Sequence, residues 1–154
     1  MKRPFEIRIL ILLLIILSLN ALYGGVGFIL KPDGSLTGIN KTWLEDSPFS
    51  NFLIPGILLI LFLGILPAIA LIGIFSKKRI RLFHSLNCFP EKRWGWIYAI
   101  FSGIGANIWI IVQQLITGYF FLQPVIATVG MLIIIISLLP RVQKYFTTET
   151  NLIQ

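Results

Sequence analysis

Three glutamines, Gln113, Gln114 and Gln123, flank a turn that the sequence predicts at Thr117 and Gly118. A side-chain amide donates and accepts hydrogen bonds, but it does not titrate near neutral pH. Such a group can hold a polar ligand or brace two helices, whereas acid–base catalysis needs a side chain that exchanges a proton. The most distinctive polar cluster in this chain therefore indicates binding rather than catalysis.

The glutamine cluster has two interpretations. In the first, the amides only hold neighbouring helices in register, through interhelical hydrogen bonds that contribute about 0.6–2 kcal/mol each. In the second, they line a shallow outward-facing pocket with apolar walls, a composition that many ligand sites share. The residues that we expect to line this pocket are Gln113, Gln123, Trp109 and Tyr119 near the turn, with Asn107 and Asn20 near the middle of two helices.

The residue types that carry most other chemistry are scarce. His84 and Cys88 are four apart and would share one face of a helix, but no further Cys or His completes a metal site. One histidine also falls short of the two axial ligands common in membrane b-type haem proteins, and a lone cysteine cannot form an intrachain disulfide. No Ser–His–Asp set, phosphate loop or dinucleotide fingerprint is present. We therefore predict no catalytic residues, no metal and no cofactor, and we favour a protein that is not an enzyme.

The elements that position these amides are long apolar stretches. Between Arg93 and Arg141 lie 47 residues without a formal charge. As one helix they would extend about 70 Å at 1.5 Å per residue, whereas the hydrocarbon core of a bilayer is only about 30 Å thick. The stretch must therefore fold back on itself as a helical hairpin, with the glutamines near its tip.

Four stretches without a formal charge cover residues 9–30, 52–75, 94–116 and 119–139 of this 154-residue chain, which has the length of a single domain. Each is long enough to span a bilayer, and hydrophobicity all around a helix indicates burial in lipid or protein. We therefore predict an all-α, polytopic membrane protein, built as a bundle of four transmembrane helices. Because no Asp, Glu, Lys or Arg lies within a predicted span, proton-coupled multidrug exporters of similar size are excluded.

The distribution of positive charge predicts the orientation. Of thirteen Lys and Arg, eleven lie before the first span, between spans two and three, or after span four, and only two lie in the loop 31–50. The positive-inside rule then predicts that both termini and the basic loop 76–93 lie on the cytoplasmic side of a bacterial inner membrane. The scatter of basic residues along membrane flanks argues against nucleic acid. Expected partners are membrane lipids, with the anionic inner leaflet facing Lys77, Lys78, Arg79 and Arg81, although these charges could equally serve topology alone.

The sequence allows two start positions for the fourth span. If Pro124 is the first helical residue, residues 118–123 form an interfacial loop. If the helix begins at Tyr119, Gln123 lies inside the membrane. We favour the second start, because the first leaves span four about sixteen residues long, whereas a transmembrane helix needs about 20.

Pairs of small residues four apart indicate close packing between helices. These pairs are Gly64/Ala68 in span two, and Ala99/Gly103 and Ser102/Ala106 in span three. Such faces favour a small accessory or interaction subunit that binds lipid, another membrane protein or a second copy of itself. The alternative hypothesis is a site, open to the outside, that binds or transports a lipid-like or quinone-like small molecule.

Several local strings resemble those of a known group of proteins. They are Gly24-Gly25, Lys31-Pro32-Asp33-Gly34-Ser35, residues 47–56 (SPFSNFLIPG), Trp109 with Gln113, and Leu122-Gln123-Pro124 with Gly130. Together they resemble a family of small four-helix bacterial inner-membrane proteins without an assigned activity, and more loosely the DoxX-like four-helix membrane proteins. The resemblance implies a four-helix fold that shares the loop after span one and the hairpin amides. It implies no chemistry, because a fold does not determine a function.

Overall fold

The computed structural model of the chain describes residues 3–76, 88–89 and 91–147. Within these residues the elements of regular structure are all helical, which confirms the predicted all-α bundle. A short 3-10 helix, Lys41–Leu44, lies in the loop that follows the first helix. The longer helices are α1 (Phe5–Leu30), α2 (Leu53–Phe75), α3 (Gly95–Ile116), α4 (Leu122–Leu138) and α5 (Pro140–Phe146).

The helices have the length and composition of membrane spans. Each of α1, α2 and α3 is long and apolar enough to cross a bilayer. α4 and α5 provide a fourth crossing segment if the pair is one span, with a bend of 71° between them. A helix satisfies its own backbone hydrogen bonds, so it is stable in hydrocarbon, which offers no partner for them. The chain is therefore an integral membrane protein of the α-helical type.

The four long helices close into a ring. α1 packs on α2, α2 on α3, α3 on α4, and α4 on α1. We call one end of this bundle the termini end, because Glu6 near the start of α1 and Arg141 in α5 form an ion pair there, with 3.1 Å between Oε1 and Nη1. The opposite end, the loop end, carries the loop 31–52 and the α3–α4 turn.

The termini end has a closely packed apolar core to which every helix contributes. Trp94 and Trp96 belong to this core. They are buried because α5 turns back and packs on α3, and the Trp96 indole N–H donates to the Ser137 carbonyl of α4 at 2.8 Å. The other core side chains include Ile7, Leu10, Leu14, Leu63, Ala70, Ile74, Ala99, Ile133, Val142 and Phe146.

Among the described residues, three glycine pairs let the helix backbones approach each other, and one of them is Gly25 of α1 with Gly56 of α2, where an added Cβ would lie 2.8 or 3.0 Å from the other residue's carbonyl oxygen. A Cβ added at Gly103 of α3 would collide with the backbone of Gly130 of α4, and a Cβ at Gly130 would collide with Gly103. Gly73 near the end of α2 and Gly95 at the start of α3 exclude each other's Cβ in the same way. In lipid, such close packing supplies much of the association between helices, because the hydrophobic effect does not drive it.

Within α2, the helix widens into a π-helical stretch, Ile60–Ile65, directly before Pro67. The sequence predicts a disturbance here, because proline has no N–H for the helix and its ring crowds the preceding turn. The wider turn accommodates the proline within one continuous helix. The Gly64 carbonyl in this stretch accepts a hydrogen bond from the Ser18 hydroxyl of α1 at 2.8 Å, so a neighbouring helix helps to satisfy the altered backbone.

The last long helix begins at Leu122, so the predicted start at Tyr119, and with it the predicted span 119–139, is wrong at its first residues. The Gln123 side chain provides the reason. Its Oε1 accepts a hydrogen bond from the Phe120 N–H at 3.2 Å, while the Gln123 N–H donates to the Phe120 carbonyl at 2.9 Å. These bonds hold residues 117–121 in a turn, which leaves them unavailable to the helix.

Arg93 joins three helices at the termini end. Its Nη2 donates to the carbonyls of Gly73 and Ile74 at 3.2 and 2.9 Å. Both carbonyls belong to the last turn of α2, where they have no partner within the helix and where a cation complements the helix dipole. The guanidinium also lies over the rings of Tyr145 and Phe146 in α5, at 5.4 and 5.5 Å from their centroids.

We expect Arg93→Ala to lower the free energy of unfolding by about 2 kcal/mol or more, because it removes charge-assisted hydrogen bonds and cation–π contacts. Arg93→Lys should recover only part of this loss, since an ammonium lacks the flat face that lies over the two rings. The measurement is unfolding in mild detergent, followed by circular dichroism. The control is Arg141→Ala, whose guanidinium is 81% exposed and should contribute under about 1 kcal/mol. Equal losses in the two alanine variants would contradict this role for Arg93.

Candidate functional site

A cavity of about 280 Å³ lies at the loop end of the bundle. The four long helices surround it, and the loop 31–52 lies over it. Its walls are mostly apolar, with many aromatic rings and few polar side chains. The rings belong to Tyr23, Phe28, Trp43, Phe49, Phe52, Trp109 and Phe120. The polar side chains are Asn20, Thr37, Gln113, Thr117 and Gln123.

The loop over the cavity begins with the turn that its Pro-Asp-Gly string predicts. The Gly34 N–H donates to the Lys31 carbonyl at 2.9 Å, and Gly34 has a φ of 84°, which is costly for any residue with a Cβ. The Asp33 carboxylate accepts hydrogen bonds from the Ser35 hydroxyl at 2.7 Å and from the Ser35 N–H at 3.0 Å. These two bonds hold the pKa of Asp33 below its ordinary value, so this carboxylate is ionised at neutral pH.

An aromatic pair docks the loop onto the helix ends. The rings of Phe28 in α1 and Phe52 at the end of the loop are stacked, with centroids 4.7 Å apart and planes 13° apart. Leu44 of the 3-10 helix is buried in the same cluster. The Phe52 N–H donates to the Pro32 carbonyl at 2.9 Å, which joins the two ends of the loop. The loop is thus held over the cavity.

Gln123 forms part of the cavity wall, but its amide is committed to the α3–α4 turn. The residue is only 2% exposed. In addition to the Phe120 N–H bond, its Nε2 donates to the Thr117 hydroxyl and to the Gly118 carbonyl, each at 3.4 Å. The Thr117 hydroxyl in turn donates to the Gln113 carbonyl at the end of α3, at 2.9 Å. The first interpretation of the glutamine cluster, in which an amide holds neighbouring segments together, therefore applies to Gln123.

Asn20, which is exposed, and Gln113, which is half-buried, also line the cavity, and the hydrogen bonding of their amides differs from that of Gln123. Neither amide has a hydrogen-bond partner within the described ranges 3–76, 88–89 and 91–147. Asn20 lies in α1 and Gln113 in α3, so the two amides reach the cavity from different helices. These are the groups that remain available to a ligand.

Two of the residues expected at the pocket do not line it. Asn107 falls on the face of α3 that packs against α4, where its Nδ2 lies beside Gly130 and donates to the Gly103 carbonyl at 2.9 Å. Tyr119 lies in the non-helical turn and is 77% exposed. Gln114, the neighbour of Gln113, is also exposed and outside the cavity lining. Trp109 does line the cavity, together with Asn20, Gln113 and Gln123.

Sequence reasoning missed two rings that face each other across the loop end. Trp43 of the 3-10 helix and Phe120 of the α3–α4 turn both line the cavity, with centroids 5.2 Å apart and planes at 73°. This edge-to-face contact connects the loop to the turn. The available signal was the presence of several aromatic residues in each of the two connections at the loop end, but the sequence contains nothing that pairs Trp43 with Phe120.

The lining determines which chemistry the site can support. Among the residues that the structure describes, no Asp, Glu, Lys, Arg or His lines the cavity, and no group of three potential metal ligands occurs. Amides and hydroxyls can donate and accept hydrogen bonds but cannot exchange a proton near neutral pH. The site is therefore suited to holding an apolar molecule with a small polar group.

The α3–α4 turn supplies a direct test of the Gln123 brace. We expect Gln123→Leu to lower the free energy of unfolding by about 1–3 kcal/mol, because it leaves the Phe120 N–H without its partner in an apolar setting. Unfolding is measured as above. Gln114→Leu makes the same chemical change at an exposed position and should have little effect. A Gln123→Leu protein as stable as Gln114→Leu would show that the turn does not depend on this amide.

Comparisons with known proteins give no relative. No protein-family model matches the chain, and neither the curated proteins nor the solved structures contain a match. The family resemblance carried by the sequence motifs therefore stays a prediction.

Proposed function

We propose that this membrane protein is not an enzyme and that it binds a lipophilic small molecule in the loop-end cavity. The observation that carries the proposal is the pair of unpartnered amides, Asn20 and Gln113, in an otherwise apolar and aromatic cavity. Apolar walls with a few convergent polar groups are the usual composition of small-molecule sites. Gln113 is half-buried, and an amide without a partner in apolar surroundings costs free energy that a ligand's polar group recovers.

The proposed orientation places the cavity on the non-cytoplasmic side of a bacterial inner membrane. Eleven of thirteen Lys and Arg lie at the termini end or in the connection between α2 and α3, and the positive-inside rule places such segments in the cytoplasm. The Glu6–Arg141 ion pair supports one common side for both chain ends. The basic residues proposed to contact anionic lipid, Lys77, Lys78, Arg79 and Arg81, lie outside the described residues.

The accessory-subunit hypothesis depended on small-residue faces, and the bundle uses these faces internally. Gly64 packs against Leu22 of α1, and Gly103 packs against Gly130 of α4. Ala99 and Ala106 are fully buried within the same molecule. Because the bundle's own packing accounts for these residues, they give no support to an external partner. The cavity has no comparable internal use, so ligand binding is the function that we favour.

A cavity-filling substitution tests the proposal. Gly24 lines the cavity, and a Cβ there would meet Leu59 Cδ2 at 3.4 Å, an ordinary contact distance. We expect Gly24→Leu to fold normally, since glycine in a helix interior is about 0.5–1 kcal/mol less favourable than alanine. It should nevertheless reduce ligand binding at least about tenfold, because the new side chain occupies ligand space. A tenfold change corresponds to about 1.4 kcal/mol.

Binding is measured in lipid nanodiscs with a neutral alkyl-diazirine probe, whose photochemical adducts are mapped by mass spectrometry. The wild type should show saturable adducts on cavity residues such as Trp109 and Phe120. Gly105→Leu is the matched control, because a Cβ at Gly105 meets only Leu66 Cδ2 at 4.0 Å and the residue lies outside the cavity lining. Adducts confined to lipid-facing side chains, or equal labelling of Gly24→Leu and wild type, would contradict the proposed function.

A further inference from the structure

The cavity also indicates the chemical class of its ligand, in an inference that rests on the proposed function. We propose that the ligand is a neutral, planar, carbonyl-bearing ring with an apolar tail, as in quinone-type amphiphiles. Asn20 and Gln113 would donate to its carbonyl oxygens from α1 and α3, and the aromatic walls would pack against the ring.

The absence of charge in the lining requires a neutral head group. No Asp, Glu, Lys, Arg or His among the described residues lines the cavity. An ionised carboxylate or phosphate placed there would lose hydration without gaining a counter-ion, which is costly in a membrane-embedded site.

The geometry of the polar groups favours an acceptor on the ligand. Of the three cavity amides, Gln123 is committed to the turn, whereas Asn20 and Gln113 keep their hydrogen-bonding capacity within the described part of the chain. Each of these two amides offers two N–H donors and one carbonyl acceptor, and a ligand carbonyl engages the donors. Since they come from different helices, a ligand with two separated carbonyl oxygens can engage both, which a single hydroxyl cannot do as well.

The shape and size of the cavity favour a ring rather than a whole lipid. Its walls are built from flat side chains, among them Trp43, Trp109, Phe120 and the stacked Phe28–Phe52 pair. Planar rings pack well against such surfaces in offset or edge-to-face arrangements. A volume of about 280 Å³ lies just below the usual range for ligand pockets, which begins at about 300 Å³. The cavity therefore accepts the head group, and the tail extends into the surrounding lipid.

The test is competition against the diazirine probe in nanodiscs by four compounds that share a decyl chain. They are decylbenzoquinone, decylbenzene, decanol and decanoate. In the wild type we expect the quinone to compete at least about tenfold more strongly than decylbenzene, because only the quinone can accept hydrogen bonds from the two amides. In Gln113→Leu and in Asn20→Leu, this advantage should fall below about threefold. Decylbenzene itself should compete as in the wild type, which shows that each variant retains its cavity.

Gln114→Leu is the control, because it removes an exposed amide outside the lining and should leave the advantage of the quinone intact. Equal competition by decylbenzoquinone and decylbenzene would overturn the inference and leave the proposed function standing. Two other results would also overturn the inference. If decanoate competed more strongly than the quinone, the ligand would not be neutral. If decanol competed as strongly as the quinone, the site would not require a carbonyl-bearing ring. Non-saturable probe labelling in the wild type would instead reject the proposed function itself.

Discussion

Inside a bilayer, every backbone N–H and C=O must find a partner within the protein, because hydrocarbon provides none. This constraint explains where polar side chains occur in a chain that is 56% hydrophobic. Ser18 bonds the Gly64 carbonyl where α2 widens into a π-helical stretch. Gln123 bonds the backbone of the α3–α4 turn, and Arg93 bonds the carbonyls at the end of α2. At each of these three places, one polar side chain forms hydrogen bonds with backbone groups that the regular helix leaves without a partner.

The same accounting leaves three helix amides, Asn20, Gln113 and Gln114, without a hydrogen bond within the described residues. Asn107 bonds the Gly103 carbonyl of its own helix, and Gln123 bonds the turn. Asn20 and Gln113 have no such bond within the described residues, and both line the loop-end cavity. In the described part of the chain, the Ser137 hydroxyl and the exposed Gln114 amide also lack a partner, but among the unpartnered amides only Asn20 and Gln113 line the cavity. That contrast, more than the cavity volume, points to a function for this end of the molecule.

The two ends of the bundle differ for a physical reason. At the termini end, glycine pairs such as Gly73 with Gly95 bring helices close, and α5 contributes Val142 and Phe146 to the core. At the loop end, Gly25 and Gly56 also bring α1 and α2 close, but the covering loop rests on a stacked aromatic pair and large rings line the cavity. The cavity therefore lies where aromatic side chains, rather than α5 and its core residues, fill the space between the helices and their covering segment.

The sequence by itself determined the membrane setting, the helical class and the hairpin, because the length and polarity of a stretch belong to that stretch alone. Prediction placed the glutamine cluster beside the turn, yet it could not separate Gln113, which faces the cavity, from Gln114, which does not. Each residue advances a helix by about 100°, so the role of an amide depends on how its helix is rotated against its neighbours. It depends equally on where α4 begins, which the Gln123 side chain decides through a bond to Phe120. Only the tertiary structure could therefore distinguish the amides that brace the bundle from the two that face the cavity.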